Sequence, residues 1–423
     1  MLRETLEILR CPYCGGRLEL VESLHHRADD RAIEEGILGC HCCVFPVVSG
    51  IPVMHLQPAA VEARGHIEQG RPDLALRVMN GVSDLAQAEI FERTAVSDRS
   101  TYRELVDALG PGFEGGYFLY RFSDPTFVVA DAVVRSVGRV VLGGRARALD
   151  VCGGSGHLTR SLVGLSSPAP VLADLFFPKI WLARRFTVPG CEAVCCDGNA
   201  PLPFARGVFG LALCSDAFQY IWTKRQFIGE MARVVDHQAG AVLISHTHNQ
   251  LAWSASHGQP LSPAGYCDLF ETLEPTVFGE AALFEDVVAG GPLDLSRRDT
   301  PDVIDRDPAL TIVAPAPGIA SAVWRPHAID PPGTSSGGIT AIKGRWRINP
   351  LYVASSDGGG LRLRLTFPTA DYEDEYGACR RYLPEDAAID QAGLAALEAG
   401  RLTPALADLV RQRVVLDLPE RYY

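Results

Sequence analysis

Two pairs of cysteines near the start of the chain have the composition of a metal site: Cys11-Pro12-Tyr13-Cys14 and Cys40-His41-Cys42-Cys43. Two-residue spacing, with Cys11 and Cys14 in one pair and Cys40 and Cys43 in the other, lets tight knuckles aim four thiolates at one tetrahedral zinc ion. Gly15 and Gly16 supply the turn after the first knuckle. Cys42 and His41 compete as ligands in principle. Lying between the paired cysteines, they read as bystanders whose side chains point away from the metal. His25 and His26 read as solvated loop. A unit this short has little core, so metal binding supplies much of its folding energy.

A second set of residues is spread over residues 148–248. Ala148-Leu149-Asp150-Val151-Cys152-Gly153-Gly154-Ser155-Gly156-His157 reads as an apolar strand, a small-residue turn and a helix start. Glycine lets the backbone approach a ligand there, and a helix start favours a carboxylate. Dinucleotide enzymes use a similar loop, so the turn alone does not decide the ligand. Val171 to Asp174 ends a second strand in a carboxylate suited to ribose hydroxyls, and Ala193 to Asn199 ends a third at Asp197. Val208 to Asp216 forms a fourth. A helix through Val235 and then Gly240 lead to a fifth, Ala241 to His246. Taken singly, each carboxylate could be a helix cap or a surface charge. At successive strand ends they point to one ligand at the carboxyl edge of a parallel sheet.

This ordered set closely resembles the class I S-adenosylmethionine-dependent methyltransferases, over roughly residues 141–313. The resemblance implies an α/β, Rossmann-like sheet that takes S-adenosyl-L-methionine among Asp150, Gly154, Gly156, Asp174, Asp197, Gly198 and Ser215. By the same resemblance Gly154 and Gly156 lie under the methionine part, Asp174 binds ribose and Asp197 reaches the adenine amino group. The sequence departs from the family pattern twice: Cys152 replaces the usual first glycine, and Gly210 replaces an aspartate common after the Phe of the fourth strand. The cysteine-rich unit, from Leu6 to Gly16 and from Gly39 to Val53, resembles the small zinc-ribbon proteins that bind and activate methyltransferases. That implies a structural Zn2+ and a protein-binding surface, here holding a catalytic domain in cis.

Methyl transfer is an in-line displacement, so bringing acceptor and methyl together in a dry pocket is the main task and no covalent intermediate is needed. A hydroxyl or amide acceptor gains from a base. His246 and His248, after the fifth strand, are the candidates, while Asp216 and Tyr220, after the fourth, could orient an acceptor. The plainer alternative for each is a polar residue at a pocket rim or a satisfied core histidine. His157, inside the loop, reads as packing. Cys214 to Tyr220 lacks the Asn/Asp-Pro-Pro-aromatic sequence used on planar amino groups, which argues against adenine-N6 or glutamine-amide methylation.

Four stretches must position these groups: residues 1–57 as the ribbon, 58–140 as a helical cap or linker, 141–313 as the methyltransferase core and 314–423 as a C-terminal α+β extension. In the cap, Tyr117 to Phe122 gathers aromatics that serve either as a lid over a small substrate or as core. The extension follows a Pro/Gly/Ser-rich connection, Pro331 to Gly338. Within it, Leu351–Ala354 and Leu361–Phe367 predict a hairpin, and Thr403-Pro404 a helix start. The two long uncharged stretches are broken by Pro315, Pro317 and Gly318, or by His, Asn, Gln and Ser, so no membrane span is expected. Glu4 and Glu7 are unlike a secretory signal, so the twelve cysteines read as belonging to a reducing cytoplasm. A formal charge of −12 disfavours a phosphate backbone as partner. The leading expectation is methylation of a small molecule, with specialised metabolism as its setting. An rRNA or tRNA methyltransferase is the alternative, since some rRNA guanine methyltransferases also place a four-cysteine module before the core. A non-catalytic cofactor-binding scaffold is the third.

Overall fold

The computed structural model describes residues 1–110, 115–253, 258–329, 344–356 and 358–423. At its centre lies a seven-stranded sheet. Its strands are β1 (Arg147–Val151), β2 (Val171–Asp174), β3 (Glu192–Cys195), β4 (Phe209–Ser215), β5 (Ala241–His248), β6 (Thr276–Gly279) and β7 (Ala309–Pro315). They run in the order β3-β2-β1-β4-β5-β7-β6. The first five are parallel, whereas β7 runs antiparallel to both β5 and β6. Burial explains the composition: β1, β2 and β3 are buried along their whole length, so they carry near-continuous apolar runs rather than alternation. The order reverses between β1 and β4, which leaves a crevice at the carboxyl ends of those strands.

Five helices matter for the site: α1 (Gly115–Tyr120), α2 (Pro125–Val141), α3 (His157–Leu162), α4 (Lys224–Val234) and α5 (Glu280–Val288). Helix α2 is rich in Val, a weak helix former, and its stability comes from burial, because it packs on β4, β5, α3 and α5. It is thus a layer of the sheet rather than part of a cap. Asp124 caps it, accepting from the Phe127 N–H at 2.6 Å, with Pro125 at the first helical position.

The cysteine-rich unit forms its own antiparallel sheet and docks on β3. Met54 N–H donates to the Cys195 carbonyl at 2.7 Å, Arg10 N–H to Pro203 at 2.9 Å and Ala205 N–H to Ile8 at 2.8 Å. Val53 makes a parallel bridge to Cys195. The edge strand β3 is therefore covered by the ribbon unit. In the C-terminal extension, Tyr352–Ser356 and Gly360–Leu365 form the expected hairpin, with Asp386–Asp390 as a third strand. Thr403 caps the helix Pro404–Arg411. The connection Pro331 to Gly338 lies outside the described residues. No helix among the described residues is long and apolar enough to cross a membrane.

Candidate functional site

Three non-glycine residues near the carboxyl ends of adjacent central strands have left-handed backbone: Cys152 (φ 58°), Asp216 (φ 54°) and His246 (φ 50°). Each such residue costs about 1 kcal/mol or more, and such costs concentrate where side chains must be aimed. Cys152 also shows why glycine suits its position. Its backbone takes the conformation that glycine adopts freely, and its sulfur lies 3.4 Å from where a Cβ on Gly198 would stand. Gly210 has the opposite explanation. A Cβ there would come within 2.7 Å of Ala146 Cβ and 3.1 Å of the Val141 carbonyl, so an aspartate would not fit beneath α2.

On one side of the crevice stand the residues of the glycine loop. Gly154 and Gly156 both have positive φ, and Gly154 N–H donates to Asp174 Oδ2 at 2.9 Å. The other Asp174 oxygen accepts from Phe176 N–H at 2.8 Å. Two backbone donors thus fix this carboxylate, while lone pairs on both oxygens still suit ribose hydroxyls. Burial raises its pKa, against the attraction of Lys179. Asp150 is buried and accepts from Thr159 Oγ1 at 2.6 Å; burial pushes it up to about 7. Asp197 holds Asn199 N–H at 2.8 Å, and Gly198 packs beneath Ile221, Cys152 and Phe227. The ribbon unit reaches this end too: His55 Nε2 lies 3.5 Å from Cys195 Sγ, its pKa lowered by burial against the pull of Asp197. The set therefore fits S-adenosylmethionine: one carboxylate at the end of β2, a second just beyond β3, and a loop beside them in which Gly153, Gly154 and Gly156 leave the backbone open to a ligand.

On the other side, the register between β5 and β7 slips between Ile244 and Thr247. That bulge takes His246 out of the ladder, and its freed N–H donates to Glu280 Oε1 at 2.8 Å. The same carboxylate meets His246 Nδ1 at 2.6 Å and accepts from Thr311 Oγ1 at 2.7 Å. Burial works to lower the pKa of His246, but Glu280, seconded by Asp216, raises it to about 9. His248, whose ring centroid is 5.6 Å away, moves the opposite way, lowered by burial and by the charge of His246. Asp216 pairs with Arg121 Nη2 at 3.1 Å, and Arg121 Nη1 reaches Asp124 at 3.2 Å. Burial pushes Asp124 up to about 6, against the Arg121 charge. Among the described residues, Ser215 Oγ, Ser245 Oγ and His248 Nδ1 are buried without a hydrogen-bond partner.

The structure thus brings Asp216, His246 and His248 together, with one ligand atom from each within 4.8 Å of the others. Tyr220 is 51% exposed on the short turn Phe218–Tyr220 that follows β4. The spacing of Asp216, His246 and His248 could accommodate a cation, although the Arg121 guanidinium already pairs with Asp216. Sequence reasoning missed Glu280 and Arg121. Glu280 begins a helix 34 residues beyond His246 and would be read as first-turn acid, while Arg121 was hidden in an aromatic run.

In the ribbon the sulfurs that group most closely include Cys42 where the spacing pointed to Cys43. The grouped sulfurs belong to Cys11, Cys14, Cys40 and Cys42, with Cys11–Cys42 at 3.6 Å, Cys14–Cys40 at 3.7 Å and Cys40–Cys42 at 3.6 Å. Tetrahedral zinc with bonds of ~2.3 Å requires sulfurs about 3.8 Å apart, so this set fits. Cys43 lies 3.3 Å from Cys42 Sγ but outside the set, packed against the apolar core. The reason is local. Cys40 N–H donates to the Cys43 carbonyl at 3.0 Å, and the strand Val44–Val48 starts immediately after, so Cys43 is committed to the sheet and Cys42 occupies the turn.

No protein-family model matches the chain, and no curated protein matches it. Solved structures do. The YcgJ protein of Bacillus subtilis is 15% identical over 43% of this chain and 99% of its own, with a TM-score of 0.30. A chain of the complex containing the Haloferax volcanii Trm112 methyltransferase activator is 15% identical over 44% and 89%, with a TM-score of 0.33. Geranyl diphosphate C-methyltransferase of Streptomyces coelicolor A3(2) is 13% identical over 42% and 74%, with a TM-score of 0.32. At these scores the likenesses decide neither reaction nor substrate, and the geometry of the site must carry that weight.

Proposed function

We propose that this chain transfers a methyl group from S-adenosylmethionine to a small-molecule acceptor. The observation that carries the reading is that two unlike residue sets stand at the carboxyl ends of neighbouring strands of one sheet. Asp174, Asp197 and the Gly154 loop stand at the β1–β2–β3 side, and Asp216, His246 and His248 at the β4–β5 side. A dinucleotide sheet continues its parallel order past the fifth strand, whereas here the antiparallel β7 takes that place.

S-adenosylmethionine supplies an electrophilic methyl on a sulfonium centre. The chain's own residues then have separable tasks. Two neighbouring imidazoles with oppositely shifted pKa values divide acid and base roles between them. His248, neutral at pH 7, takes the acceptor proton. His246, kept as imidazolium by Glu280, stabilises the negative charge that develops on the acceptor. Asp216, braced by Arg121, orients the acceptor. The ribbon, through four thiolates, holds zinc as a structural ion and braces β3 next to Asp197. A net charge of −12 favours a small acceptor over an RNA one.

The purified chain is to be incubated with methyl-labelled cofactor and either metabolite fractions or bulk RNA. Label in a metabolite, with cofactor binding by calorimetry lost in Asp174→Ala and Asp197→Ala, is the expected result. Label in RNA alone would establish the nucleic-acid alternative, and no cofactor binding at all would leave the scaffold.

A further inference from the structure

The residues at 415–423 pack against α3, whose first residue follows the glycine loop. The strand Val415–Pro419 pairs with Gly344–Ile348, and Asp417 meets Arg160 on α3 at 3.4 Å. Beyond it, Tyr102 N–H donates to the Arg421 carbonyl at 2.8 Å, and Arg421 reaches the Asp98 carbonyl at 2.8 Å. Tyr422 is fully buried and stacks on Tyr102 with ring centroids 4.7 Å apart. Its hydroxyl sits between two groups, the Phe118 carbonyl at 2.7 Å and His157 Nε2 at 2.8 Å. With its own proton on the carbonyl, that hydroxyl accepts from Nε2–H, and burial keeps the His157 ring neutral by lowering its pKa to about 3. Tyr423 adds a hydroxyl bond to the Leu119 carbonyl at 2.7 Å.

One hydroxyl therefore ties together α1, which carries Phe118, and the first residue of α3, which directly follows Gly156. The tie bears on the crevice because Phe118 is the side chain nearest the open face of Gly154: its ring lies 3.3 Å from where a Cβ on that glycine would stand. We infer that Tyr422 is a positioning residue for the methyl-donor site, a latch that holds α1 and the glycine loop in register so that affinity for the cofactor is set from the C-terminal extension. The latch rests on the reading of the Gly154 loop as the cofactor cradle. It gives the extension a task in the reaction.

The test is Tyr422→Phe in the full chain, which keeps the ring stack on Tyr102 and removes only the hydroxyl. Two hydrogen bonds to buried partners are lost, so the S-adenosylmethionine Kd measured by calorimetry should rise about tenfold. Amide exchange should accelerate at residues 118–123 and 157–162 and stay unchanged in β4 and β5, a locality that general loss of stability would not produce. Tyr423→Phe, which loses one bond to α1 and none to α3, is the milder variant should the first fold poorly, and should speed exchange at residues 118–123 alone. Unchanged exchange at residues 118–123 in both variants overturns the latch. A wild-type chain that takes up no S-adenosylmethionine sinks the methyltransferase reading instead, and the exchange result then decides by itself whether Tyr422 braces the loop.

Discussion

Replacing Glu280 by glutamine removes the charge that holds His246 and leaves the size of the side chain unchanged. In the folded protein His246 titrates at about 9, against an ordinary value of 6.5. The rise from 6.5 to about 9 corresponds to ~3 kcal/mol of preference for the protonated ring in the native state. Glu280 supplies most of it: its carboxylate is buried, meets Nδ1 at 2.6 Å and also accepts the His246 N–H. Because the folded value lies above the unfolded one, this stabilisation is complete below pH 6.5 and fades as pH rises through about 9. Glu280 itself is shifted down, so its share is present above 4.5 and is lost on further acidification. Urea unfolding of wild type and Glu280→Gln should therefore differ by up to ~3 kcal/mol at pH 6 and converge toward pH 9 to 10. In activity, the alkaline limb of the wild-type pH profile, near 9, should move down toward neutrality in the variant. An equal stability difference at pH 6 and pH 10, with an unmoved alkaline limb, would refute the pairing as the source of the His246 charge.

Three further outcomes follow from the same geometry. His248→Gln should lower kcat/KM by about 100-fold or more while leaving the cofactor Kd within twofold, because it removes the neutral base and touches no part of the glycine loop; calorimetry beside single-turnover methylation separates the two. Cys42→Ser should cost the ribbon its zinc, and Cys43→Ser should keep one zinc per chain, as counted by metal analysis of purified protein. Gly210→Asp should destabilise by about 3 kcal/mol or more, read as a lower urea midpoint, since the new side chain meets Ala146 and the Val141 carbonyl and buries an unpaired charge.

The parallel sheet, the glycine loop and the strand-end carboxylates were legible in the sequence because each is a local matter. An apolar run of five residues, a turn that needs glycine and a carboxylate at the end of a run can all be read within about ten residues. The cysteine knuckles were legible for the same reason, up to the choice between Cys42 and Cys43. That choice depends on where the strand after the knuckle begins to pair, and a one-residue difference turns a thiol from the turn to the sheet. Residues 58–140 read as a helical cap or linker because their pattern shows only helix; which layer α2 covers depends on packing. Glu280, Arg121 and Tyr422 lay beyond local reading altogether. Each acts on a residue 34 or more positions away, through a carboxylate, a guanidinium or a hydroxyl that looks ordinary in its own neighbourhood. The chain by itself thus determined which strands carry the donor-side carboxylates. Only the tertiary structure decided which side chains charge His246, neutralise His248 and hold the loop, because those are effects of burial and distance between segments that the sequence keeps apart.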